Sequence, residues 1–200
     1  VTSEADIKEA LAKTKEKFGK LNVLVNCAAI FHAERTYELT NQQPHSLETF
    51  RKVIDINLTG SFNVTRLVID LMKDNQPDAD NQRGVIINFS SVAGTNVTSP
   101  MIAYGVSKAG VIAMTGAIAE NLTSLGIRVN AVAPGLTLTP LFNHWKTEVN
   151  TGDFPGVALN PMMNPKRYGR PDEMAHTVKF IIENHMINGE VIHVDARYRP

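Results

Sequence analysis

Residues 84–110 read GVIINFSSVAGTNVTSPMIAYGVSKAG, and two kinds of structure meet in them. The apolar run 85–89 stops abruptly at Ser90 and Ser91, the pattern of a strand buried on both faces that delivers a hydroxyl at its carboxyl end. In open α/β sheets that end is where chemistry is placed. Farther on, Tyr104 and Lys108 stand four apart at the head of a helical segment, 103–125, which puts phenol and ammonium on one helix face. A nearby lysine cation favours the phenolate of a tyrosine whose unperturbed pKa is about 10, so Tyr104 reads as a proton donor and acceptor near neutrality. Ser91 is then a second donor to the same substrate oxygen. Taken alone, the Tyr-x-x-x-Lys spacing equally describes a half-buried ring beside a solvated amine. The combination with a strand-end Ser91, and with Pro134-Gly135 closing a later strand, carries the reading.

Outward from that stretch, strands and helices alternate. Residues 3–18 read as a helix with Ser3 and Asp6 as its capping box and Gly19 as its stop. Residues 21–29, LNVLVNCAA, form a buried strand, 31–44 a polar connection, 46–72 a long helix and 74–83 a surface loop. A further buried strand, 127–133, ends at Pro134-Gly135. Residues 138–170 are long and irregular, yet Phe142, Trp145, Phe154, Met162 and Met163 favour a substrate-covering lid over disorder. Core packing is an equal account of Trp145. Pro171 opens the last helix, with Asp172 and Glu173 at the positive end of its dipole, and 191–195 is a short strand. The alternation predicts an α/β fold, one domain over 1–200 built on a doubly wound parallel sheet with right-handed crossovers. Asn57 lies mid-helix, where asparagine is poorly favoured, and a functional role stands there beside a solvent-facing one. Cys27 has no positive neighbour in sequence and reads as an inert buried thiol.

Composition narrows the function classes. Twenty basic and twenty acidic side chains cancel, which leaves no electrostatic case for nucleic acid or an anionic membrane surface. No uninterrupted apolar run approaches the ~20 residues that span a bilayer. The single cysteine excludes an intrachain disulfide framework and suits a reducing compartment. His176, His185 and His193 show no ligand spacing, which argues against a metal site.

In order and spacing, Ser91, Tyr104 and Lys108 resemble the short-chain dehydrogenase/reductase family, and the resemblance runs over essentially the whole chain. It implies a Rossmann-like fold and an NAD-dependent oxidoreductase interconverting a secondary alcohol and a ketone. Tyr104 would transfer the proton, Lys108 would lower its pKa and hold the cofactor ribose, and Ser91 would orient the carbonyl oxygen. Asp55-Ile56-Asn57-Leu58-Thr59-Gly60 matches the family's helix asparagine motif, which gives Asn57 a proton relay. Asn26, Cys27, Ala28 and Ala29 occupy the places of the family's Asn-Asn-Ala-Gly, whose backbone lies under the cofactor. Ala29 adds a methyl where that backbone comes close to the cofactor or takes φ > 0. Pro134 and Gly135 match the segment beside the nicotinamide, Thr139 the hydroxyl that meets the carboxamide, with Thr137 within reach, and Val1 the neighbour of the adenine-pocket aspartate. The loops at 34–48 and 74–83, with FNVTRLV, QRGVIIN, GIRV, APGL and NGEVI, narrow the resemblance to the branch acting on 3-hydroxyacyl-CoA and hydroxysteroids. That branch implies an acyl-CoA or steroid substrate at Ser91 and Tyr104, mitochondrial residence, and a homotetramer assembled through the helices at 46–72 and 103–125.

A dinucleotide fold opens with a strand, a glycine-rich turn and a helix amino terminus that holds the pyrophosphate. None of the thirteen glycines forms that fingerprint. The expectation is a chain that lacks the family's amino-terminal strands and phosphate site, leaves 21–29 as a sheet edge and binds dinucleotide poorly unaided. This supports a second reading, a catalytically silent form acting as an oligomerisation or regulatory partner. A third, a sugar-nucleotide epimerase or dehydratase, shares Tyr-x-x-x-Lys, but the length and the Pro-Gly segment argue against it.

Overall fold

A computed structural model describes residues 1–149 and 163–198, the side chains of 145–149 excepted. Four parallel strands form the sheet in the order β1-β4-β5-β6: β1 is Val23–Asn26, β4 Gly84–Phe89, β5 Ile127–Pro134 and β6 Val191–Val194. β2 (Tyr37–Glu38) and β3 (Gln43–Pro44) make a separate two-stranded hairpin inside the stretch expected to be a plain connection. The central strands read as continuous apolar runs because both faces are covered. On one face Ile86, Ile127 and Val129 pack with Val68 and Met72 of α3 (Gly60–Met72), with Ala119 and Leu122 of α4 (Ile102–Leu122), and with Leu11 of α1 (Glu4–Phe18). On the other, Val85, Ile87 and Val132 meet Met174 and Ile181 of α6 (Pro171–Glu183).

That division corrects the expected crossovers. The chain steps across the sheet in one direction from β1 to β4 to β5 to β6, but α3 and α4 lie on one face and α6 on the other. The β5–α6–β6 connection is therefore of opposite hand to the two before it, against a rule that holds in about 98% of such units. The route explains the exception. Residues after β5 leave over the carboxyl end of the sheet through α5 (Pro140–Val149), so α6 returns on the far face and the open end is covered. α5 itself lies where irregular chain was expected; residues 150–162, with Phe154 and Met162 of the predicted lid, fall outside the described residues.

Helix ends follow their sequence signals. Ser3 Oγ accepts the Asp6 N–H at 3.2 Å, and Gly19 closes α1 at φ 73°. The expected 46–72 helix is three pieces: α2 (Leu47–Ile54), a π-helical turn (Asp55–Thr59) and α3. The π turn carries Asn57 to full burial, and such single-turn bulges gather at functional positions. α4, continued by a 3-10 turn to Leu125, has the length and hydropathy of a membrane span. Its apolar side, however, packs on β5, and it buries Lys108, as a core helix does. β1 is the edge strand next to β4 and ends at Asn26, three residues before the expected limit.

Candidate active site

The carboxyl ends of β1, β4 and β5 open onto a cleft of about 620 Å³ between α4, α5 and α6. Ser91 leaves β4 in extended conformation (φ −166°, ψ 157°), and its Oγ caps the 3-10 turn Val92–Gly94 by accepting the Ala93 N–H at 3.2 Å. Only glycine fits at position 94: a Cβ there would come within 2.7 Å of the Lys108 backbone, so this turn and the first turns of α4 lie against one another. The approach brings strand tip and helix together. Ser91 and Tyr104 line the same cleft, and the Ser91 hydroxyl is close enough to the phenol to favour its charged form.

Lys108 stands behind that pair. It is 3% exposed, its Nζ donates to the Phe89 carbonyl at 2.8 Å, and it lies 5.7 Å from the Tyr104 ring centroid. Burial pushes its ammonium down to about 8, against a smaller upward pull from the Cys27 thiol. The phenol departs from expectation. Burial raises Tyr104, and what opposes the rise is the Ser91 hydroxyl, not the lysine charge.

The remaining predicted residues divide into two groups. Cys27, Ala29, Pro134, Gly135, Thr137 and Thr139 line the same cleft. Cys27 is exposed there rather than buried, and Lys108, distant in sequence, is the positive neighbour its surroundings were expected to lack. Desolvation of its sulfur still raises the thiol overall. Ala29 is absent from the positions with left-handed backbone, so its methyl brings no strain. Gly135 is glycine because Asp195 backbone lies 2.8 Å from where a Cβ would stand. The Thr139 hydroxyl, expected at the cofactor, accepts the Phe142 N–H at 3.2 Å and so caps α5.

Val1, Asn26, Ala28 and Asn57 do not line the cleft. Val1 sits against Gly60, its carbonyl accepting from Asn63 at 3.3 Å. Asn26 points into the core, donating to Asn88 Oδ1 at 2.8 Å and Thr65 Oγ1 at 3.1 Å. Asn57 is bonded within the protein through its whole side-chain amide, to Ile30 and Ser107, and its carbonyl accepts from Ser61. Its side chain is a structural clasp behind the cleft.

Of the apolar wall, sequence reasoning singled out Phe142 and missed the rest. Phe31, Met101, Leu136 and Leu141 join Phe142 around Tyr104, and Phe142 stacks obliquely on Tyr168 with centroids 4.8 Å apart. Only their shared apolar character marked them, and they come from separate segments. Ser90 was also passed over. It is buried, and its Oγ donates to the Lys108 carbonyl at 2.8 Å.

A parallel, doubly wound sheet with a serine at a strand tip and a Tyr-x-x-x-Lys helix converging on one cleft defines a class of oxidoreductase. The chain belongs to the short-chain dehydrogenase/reductase family; the family described as enoyl-(acyl carrier protein) reductase matches residues 1–198. Over 199 residues it is 47% identical to 3-hydroxyacyl-CoA dehydrogenase type-2 of Homo sapiens, covering 100% of this chain and 74% of that protein. The crystal structure of a 3-hydroxyacyl-CoA dehydrogenase type-2 from Mycobacterium avium superposes with a TM-score of 0.86 at 33% identity, covering 100% of this chain and 74% of that one. ElxO with NADP bound gives a TM-score of 0.78 at 29% identity, covering 98% of this chain and 75% of that one. Together these define an oxidoreductase of secondary alcohols that takes a small-molecule substrate and a nicotinamide dinucleotide.

Proposed function

We propose that this protein interconverts a secondary alcohol and a ketone with NAD, on a 3-hydroxyacyl-CoA or hydroxysteroid substrate. The observation that carries the reading is that Ser91 and Tyr104 share one largely apolar cleft with Lys108 buried behind them. A carbonyl oxygen inserted between the two hydroxyls accepts from both. Tyr104, held protonated by burial, then gives its proton to that oxygen as the ketone is reduced. Alcohol oxidation at the same point needs the base form, so the oxidation rate should rise with pH through the alkaline range.

The cleft fits the nicotinamide end of the cofactor. Pro134, Gly135 and Thr137 line it together with Lys108 and Tyr104. Bound there, the nicotinamide supplies the hydride chemistry. The pyrophosphate end finds no cradle among the described residues. The one helix start bordering the cleft besides those of α4 and α5 is that of α6, and Asp172 and Glu173 already occupy its positive end. NAD affinity of this chain alone should accordingly be weak, and calorimetric titration measures it.

Apolar side chains exposed on the long helices, Phe62 at 48% and Val106 at 39%, favour assembly with further copies, and mitochondrial residence belongs to the same reading. Steady-state assay of reduced nicotinamide with both substrate classes, using NAD and NADP in parallel, tests the function. Turnover with NAD that Tyr104→Phe abolishes supports it. A folded chain inert towards every pair overturns it in favour of a silent partner.

A further inference from the structure

Ser107 is fully buried and directly precedes Lys108 in α4. Its hydroxyl donates to the Tyr104 carbonyl at 2.7 Å and accepts from Asn57 Nδ2 at 3.1 Å. Asn57, with no exposure either, grips Ile30 twice: Oδ1 accepts the Ile30 N–H at 2.8 Å, and Nδ2 donates to the Ile30 carbonyl at 2.9 Å. This pattern fixes the amide's orientation, because a backbone N–H needs the oxygen and a carbonyl needs the nitrogen. The next residue, Phe31, is 6% exposed and sets its ring edge-on to the Tyr104 ring, centroids 5.2 Å apart and planes at 63°. The path leaves from the backbone of Tyr104 and returns to its side chain. It is a closed circuit of two buried polar groups, one backbone clasp and one aromatic contact.

We propose that Ser107 is a positioning residue for the Tyr104 phenol, holding Asn57 so that Ile30 and Phe31 set the plane in which the phenol reaches the substrate oxygen. The second side-chain torsion of a tyrosine is intrinsically broad and roughly two-fold, so a packed neighbour must define the ring plane. Phe31 is that neighbour, and what places Phe31 is the clasp on Ile30. Removing the Ser107 oxygen strands one of two Nδ2 protons of Asn57 where no water reaches. Asn57 must then shift or stay unpaired, and a shift carries Ile30 with it. The inference rests on Tyr104 as the proton-transferring group.

The test uses the full chain with tyrosine isotope-labelled at Cζ, the Tyr104 resonance being identified by its loss in Tyr104→Phe. Ser107→Ala should displace that resonance and its titration midpoint while the distant Tyr37 signal stays in place. In steady state, kcat should fall about tenfold with KM within about twofold of the parent, the mark of misplacement rather than lost binding. Phe31→Leu should reproduce both effects, and the double variant should be no worse than the poorer single one, because each breaks the same circuit. A folded Ser107→Ala protein with an unmoved Tyr104 resonance overturns the proposal, as does a double variant whose losses multiply. If Ser107→Ala does not fold, Ser107→Cys, close in volume and a weaker donor, is read by the same two criteria. The resonance needs no turnover, so an inert wild-type chain would defeat the functional reading while the spectrum still decides the role of Ser107.

Discussion

Two clusters of titratable groups sit at opposite ends of one sheet. At the carboxyl end are Ser91, Tyr104 and Lys108; at the amino end His185, which showed no ligand spacing in sequence, meets Asp78 and Asp80, with Nδ1 2.7 Å from Asp80 Oδ2 and Nε2 3.8 Å from Asp78 Oδ2. Both bring titratable groups together, and their surroundings differ. The amino-end trio is exposed, and Asp78 is lowered chiefly by the Gln82 backbone N–H, an ordinary loop contact. At the other end burial moves both the phenol and the ammonium. Proximity brings groups together in many loops; exclusion of water makes their proton affinities differ from those of free side chains, and so gives them chemistry.

The comparison can be broken at either end. Tyr104→Phe should lower turnover about 10³-fold with little change in melting temperature, since the ring and its packing remain. Steady-state rates and a thermal melt check this, and turnover near the parent rate would remove Tyr104 from the chemistry. Lys108→Met tests burial directly. With a native value of about 8 against an ordinary 10.5, the buried cation costs stability in full below about pH 8. That cost is relieved as pH rises from about 8 to 10.5, because the unfolded chain still holds a proton that the native state has released. The variant should be inactive yet more stable near neutrality, by up to roughly 3 kcal/mol, with the alkaline rise in stability gone; denaturant melts across that range would show it. Asn57→Ala leaves the Ile30 N–H and carbonyl unbonded and should destabilise by about 2 kcal/mol in the same melts. Last, His185→Ala should change neither turnover nor melting temperature beyond the error of measurement, because its contacts with Asp78 and Asp80 lie in water.

The sheet was legible because its strands are apolar runs that stop at small or hydroxylated residues, and Ser91, Tyr104 and Lys108 because helix periodicity and strand ends fix them locally. What escaped was whatever depends on approach between distant segments. The inward bonds of the Asn26 and Asn57 amides are of this kind, since neighbours contributed by α3 and α4 make them. The capping bond of Thr139 arises because α5 starts immediately after it. Cys27 has no cationic neighbour within its strand and gains Lys108 only through the packing of α4. The hand of the last crossover was illegible for a like reason: both hands use the same strand and helix patterns, and only the exit of the chain over the cleft selects between them.

The π turn at 55–59 has a further consequence, for chain length rather than chemistry. It holds one residue more than an α-helical turn would, and every position downstream is phased by it. Deleting a single residue there would let the turn close as regular α-helix with α3 in nearly the same phase, whereas inserting one more residue would rotate α3 by about 100° about its axis. Ser61 and Thr65 would swing away from Asn26, and the apolar stripe containing Val68 and Met72 would leave the sheet. Substitutions and a single deletion within the turn can be absorbed, but insertions should be tolerated far less there than in the hairpin at 37–44, where no helix inherits the change of phase.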